Sequence, residues 1–112
     1  MEWSLHNMNR LKQLKRILEK NPSNVFAHYG IAMEYKGSKE LEKSVGWFQK
    51  LLDLQPDYRA AFFQYGVTLI DLGKTEEAQN VLEKGLTICK DAGDEHAAQE
   101  IQELLSAHFS DA

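Results

Sequence analysis

Residues 25–90 read VFAHYGIAMEYKGSKELEKSVGWFQKLLDLQPDYRAAFFQYGVTLIDLGKTEEAQNVLEKGLTICK, and this stretch repeats itself at an interval of 34. Laid on itself at that offset, Ala27 falls on Ala61, Tyr29 on Phe63, Ala32 on Gly66 and Tyr35 on Leu69. The register continues through Phe48 on Leu82 and Leu52 on Leu86, and proline recurs in step at Pro22 and Pro56. A fixed period of this length marks an array of small supersecondary units, each of which buries its apolar face only by stacking on a neighbour.

Apolar residues three to four apart predict helices throughout. Ahead of the repeat, Leu5, Met8, Leu11, Leu14, Ile17 and Leu18 form one amphipathic helix from about Ser4 to Lys20, with Arg10, Lys12, Lys15, Arg16 and Lys20 around them. Leu14 and Leu18 stand in register with Phe48 and Leu52, so this helix reads as the second helix of a repeat whose first is missing. Asn21-Pro22-Ser23-Asn24 then breaks the chain and supplies capping side chains. Val25 to about Lys36 is a first helix, Gly37-Ser38 a tight turn, and about Lys39 to Leu54 a second helix with Leu41, Val45, Phe48, Leu51 and Leu52 inside. After Gln55-Pro56-Asp57, Tyr58 to Leu72 is the next first helix. Gly73 ends it as a left-handed cap, and Thr75 is the expected cap of the following helix, with Glu76 and Glu77 at its positive end. The closing proline of that unit is replaced by Lys90. A last helix, with Ala97, Ala98, Ile101, Leu104 and Leu105 inside and Glu95, Gln99, Glu100, Gln102 and Glu103 outside, covers the end of the array.

The pattern resembles the tetratricopeptide repeat (TPR). Ile31, Ala32, Tyr35, Ser44, Phe48 and Pro56 in one unit, and Tyr65, Gly66, Leu69, Ala78 and Leu82 in the next, stand where that family places its large and small residues. Small pairs, Ala32 with Ser44 and Gly66 with Ala78, allow close helix approach. Four positions depart from the pattern: His28 and Phe62 occupy a slot often held by tryptophan, Lys39 a turn glycine, and Lys90 the second closing proline. The resemblance implies an all-α, right-handed α-solenoid of about six helices. It divides into an N-terminal half-repeat helix over 1–22, repeats over 23–56 and 57–91, and a C-terminal capping helix over 92–112.

Composition excludes several functions. Among 112 residues, 43% hydrophobic and 27% charged, the single Cys89 allows no internal disulfide. With no leader-like N-terminus and no spanning apolar run, a reducing cytoplasm is the expected location. His6, His28, His96 and His108 are scattered without ligand spacing, so no metal or other cofactor is expected. Gly73-Lys74-Thr75 follows Gly66 at six intervening residues where a phosphate loop needs four, and lies in helical rather than strand context. Cys89, in phase with Leu82 and Leu86, reads as a buried thiol. No nucleophile elbow or desolvated carboxylate pair suggests catalysis, and overall acidity disfavours nucleic acid despite the basic first helix. Charge is uneven: through Pro56 nine Lys/Arg stand against six Asp/Glu, and beyond it four against eleven, giving +3 and −7. Such asymmetry can steer partners or favour head-to-tail self-contact.

A second apolar stripe remains on the first helices after the packing residues are accounted for: Phe26, Tyr29 and Met33, then Ala60, Phe63, Val67 and Ile70. In the resembled family these helices line a concave groove that binds protein segments, which implies a non-catalytic adaptor or scaffold. The same positions lack the lysines, asparagines and arginine of a carboxylate clamp, so an apolar or amphipathic segment is the expected partner. The alternative is a self-assembling unit in which the chain's own ends, or a second copy in a homodimer, cover the stripe.

Overall fold

The computed structural model describes the backbone of residues 2–109 and the side chains of residues 8–109. Leu5 and His6, and residues 110–112 of the expected capping segment, lie outside the described side chains. The described residues form six α-helices: α1 (Glu2–Lys20), α2 (Val25–Gly37), α3 (Leu41–Leu54), α4 (Arg59–Asp71), α5 (Thr75–Asp91) and α6 (Glu95–Phe109). The fold is all-α. The helices group into two compact units, Met1–Pro56 and Asp57–Ala112.

In the first unit, α2 starts where Asn24 Oδ1 accepts from the Ala27 amide at 2.9 Å, satisfying one of the free donors of the first turn. It ends at Gly37 and is closed by Lys39, whose φ of 65° is left-handed. The Lys39 amide donates to the Lys36 carbonyl at 3.0 Å and the Glu40 amide reaches back to the Tyr35 carbonyl at 2.9 Å. That pair of bonds is a Schellman closure. The left-handed residue of the turn is thus Lys39, in place of the glycine usual there, and α3 begins two residues later than the periodicity suggests. The chain returns with α3 packed on α2, and the Ser44 hydroxyl donates to the Ala32 carbonyl at 2.8 Å with both residues fully buried. Only small side chains permit that approach. Phe48, Ile31 and Leu51 fill the space between, each worth about 1.5–3 kcal/mol on burial. Against the other side of α2, Leu14 of α1 packs with Ala27, Ile31 and Tyr35, edged by Leu11, Leu18 and Trp47. Arg10 pairs with Glu34 at 3.0 Å and Lys15 donates to the Tyr35 hydroxyl at 3.0 Å. Met8 and Ile17, read as part of the inner stripe, are 53% and 41% exposed. The α2 contact takes the Leu11–Leu14–Leu18 side of α1 and leaves them out.

The second unit repeats the plan with glycine where the first has lysine. Gly73, at φ 79°, and Gly93, at φ 74°, each close a helix in the same way as Lys39. Thr75 does not cap α5: the capping position is Lys74, which makes no side-chain cap bond, and Thr75 is the first helical residue. The Schellman closure at Gly73 uses Lys74 as its last residue, so the next helix begins one position before a threonine cap could form. α4 and α5 are pressed together at two glycines. A Cβ on Gly66 would meet Leu82 Cδ2 at 2.3 Å, and one on Gly85 would meet Phe62 Cβ at 2.5 Å. Gly66 thus lies directly against Leu82, and Ala78 is fully buried on the same helix. Asp94 caps α6 by accepting from the Ala97 amide at 3.1 Å, and its other oxygen takes Arg59 Nε at 2.9 Å, tying the starts of α4 and α6.

Candidate functional site

The buried positions of α2 are Ala27, His28, Ile31, Ala32 and Tyr35. Phe26, Tyr29 and Met33, offset by one residue and spaced i, i+3, i+7, therefore turn away from that packed side. Phe26 is 71% exposed, the most open large apolar residue described; Tyr29 and Met33 are half-buried. Tyr29 stands edge-on to Phe48 with ring centroids 6.3 Å apart, which fixes its ring while leaving part of it open. His28 is buried by contrast. Its Nδ1 donates to the Asn24 carbonyl at 2.8 Å and its ring tilts against Trp47 at 5.6 Å, so it is a structural residue of the packed side.

On α4 the buried positions are Ala61, Phe62, Tyr65, Gly66, Thr68 and Leu69. Ala60 is exposed, and Phe63, Val67 and Ile70 are half-buried. Each first helix thus carries its own apolar row off the packed side, Phe26–Tyr29–Met33 in one unit and Ala60–Phe63–Val67–Ile70 in the other. The outer positions of α6 are polar: His96, Gln99, Glu100 and Glu103 are exposed, with His96 near Glu100 at 3.7 Å and Gln99 donating to Glu103 at 3.3 Å.

Other candidates resolve into structure. Gly73-Lys74-Thr75 is a helix closure followed by a helix start. Among the described residues no group of three or more His, Cys, Asp or Glu is placed to hold a metal ion, and no helix is long and apolar enough to cross a membrane. Cys89 is fully buried on α5, and burial pushes its thiol pKa up, away from the reactive thiolate. One feature had no signal in the periodicity. A depression of about 360 Å³ opens between α5 and α6, lined by Gln79, Glu83, Leu86, Gln102, Leu105, Ser106 and Phe109.

Helix-turn-helix units in register, with large residues filling and small residues admitting close crossings, define an all-α helical-repeat protein whose first helices keep apolar surface open. The tetratricopeptide repeat family model matches residues 27–58 and 60–92, and the chain belongs to that family, one of protein-interaction modules. It is similar to an uncharacterized protein of Methanocaldococcus jannaschii, 30% identical over 73 residues, covering 65% of this chain and 85% of that one. It is also similar to Superkiller protein 3 of Saccharomyces cerevisiae, 28% identical over 82 residues, covering 73% of this chain and 6% of the yeast protein's length. Among solved structures, the TPR2B domain of yeast Sti1 in its complex with pHsp70 superposes with a TM-score of 0.83 at 15% identity, over 90% of this chain and 81% of that one. At that identity the likeness concerns the fold.

Proposed function

We propose that this chain is a non-catalytic binding module that takes an apolar or amphipathic protein segment on the partly exposed apolar rows of its first helices. The observation that carries this is Phe26, a phenylalanine left 71% exposed at the head of α2 above the half-buried Tyr29 and Met33. Large aromatic and methionine side chains give contact area and adaptable packing, and apolar surface of this kind is characteristic of interaction sites. The row on α4 offers the same chemistry through Phe63, Val67 and Ile70. Binding of a protein segment by a member of the fold, as in the Sti1 complex, supports the reading.

Selection from a displayed peptide library tests it. The wild type enriches peptides bearing apolar residues at regular spacing, and Phe26→Asp with Phe63→Asp loses them while keeping a helical circular-dichroism spectrum. Phe26 is too exposed for its loss to unfold α2. Peptides that bind the double variant as well as the wild type would refute the assignment.

A further inference from the structure

We propose that the chain associates with itself head to tail, the α1 helix of one copy seating in the α5–α6 depression of the next. The site is separate from the apolar rows on α2 and α4.

The register of the helices carries the argument. On the second helices α3 and α5 the places equivalent to Ile17 of α1 are Leu51 and Gly85, both buried, Gly85 directly against Phe62 of its own first helix. α1 has the register of a second helix, and its residue at that place is Ile17, which is 41% exposed. Conversely, α6 has the register of a first helix. Its buried Ala98, Ile101 and Leu105 repeat the spacing of His28, Ile31 and Tyr35 in α2 and of Phe62, Tyr65 and Leu69 in α4. One place after the second of these three, α2 and α4 meet their own second helices: the Ala32 carbonyl takes the Ser44 hydroxyl, and Gly66 lies against Leu82. On α6 that place is Gln102, which is exposed and lines the depression of about 360 Å³ together with Leu86, Leu105, Phe109 and Glu83.

Charge favours the same pairing. α1 exposes Lys12, Arg16 and Lys20, whereas Glu83 lines the depression and Glu100 and Glu103 stand exposed on α6. The two units carry +3 and −7 through the sequence as a whole. A second copy of α1 therefore meets the depression with Ile17 as its apolar anchor and opposite charge around it. The surfaces are different patches, so the contact is heterologous and each added copy leaves a fresh end. Being small and largely polar, it is weak and screened by salt.

Light scattering or sedimentation on the 112-residue chain across a concentration series tests this. The mass should rise above 12.8 kDa, pass beyond that of a dimer, and fall back in high salt. Ile17→Glu spoils the α1 surface and Gln102→Arg spoils the depression; both positions are exposed enough that circular dichroism should be unchanged. Each variant alone should remain monomeric. Mixed in equal amounts they should form a dimer and nothing larger, because one intact α1 meets one intact depression. A wild type that stays monomeric at every concentration, association that survives both substitutions, or a mixture no heavier than its components would overturn the proposal.

Discussion

Adding one methyl group at Gly85 and one at Gly46 should move stability in opposite directions. Both glycines lie inside helices, where alanine is favoured by about 1 kcal/mol. At Gly46 on α3 nothing stands within 4 Å of the new Cβ, so only this backbone gain acts and Gly46→Ala should stabilise by up to about 1 kcal/mol. At Gly85 the Cβ would lie 2.5 Å from Phe62 Cβ and 2.7 Å from Phe62 Cγ. Ordinary carbon contacts are about 3.5 Å or more, so the two helices must separate by roughly 1 Å at their crossing. Phe62 cannot swing aside, because the atom struck is attached directly to its backbone and the ring is fully buried. Overpacking of this kind costs about 1–3 kcal/mol and occasionally more. The net effect of Gly85→Ala is then a loss of up to about 2 kcal/mol despite the better helix former. Urea unfolding followed at 222 nm measures both variants against the wild type. A Gly85→Ala protein as stable as Gly46→Ala would refute the claim that the α4–α5 crossing is set by this contact.

Three further outcomes follow from single residues. Lys39→Gly should raise stability by about 1 kcal/mol, because it relieves a side chain held at a φ of 65°; a lower melting temperature would show the turn to be unstrained. Cys89 should react with a thiol reagent only as the chain unfolds, since it is fully buried with its thiol pKa raised; rapid stoichiometric labelling of the folded protein would contradict this. The Ala97 amide first, and Arg59 second, hold the Asp94 carboxyl below the usual carboxylate range. A depressed carboxylate contributes stability above its unfolded pKa and loses it as pH falls through the folded value. Asp94→Ala should therefore melt lower than wild type at neutral pH, with the gap narrowing below about pH 4; a gap independent of pH would refute the charged role.

The repeat was legible because stacking demands the same residue sizes at the same places every 34 positions, and Ala32, Gly66, Phe48 and Leu82 meet that demand openly. Turn chemistry was less so. Lys39 in a left-handed turn has no local signature, and only its register with Gly73 points to it. Thr75 misled because a threonine before two glutamates is a good cap by composition, while the Schellman closure upstream had already fixed where α5 starts. Periodicity also cannot tell which side of an amphipathic helix finds a partner. Leu14 and Ile17 look alike in the pattern, and only packing on α2 separates buried from exposed. The rows of α2 and α4 were legible as apolar excess, and their exposure follows once the packed side is known. The α5–α6 depression depends on how two helices diverge, which no single residue encodes.

The most direct test of the binding assignment is a titration of a selected peptide into methyl-labelled protein, followed by nuclear magnetic resonance. The methyl groups of Met33, Val67 and Ile70 should shift, with those of Leu51, Leu82 and Ile101 unmoved. Shifts that gather instead around Leu86 and Leu105, with Met33, Val67 and Ile70 unchanged, would contradict the account.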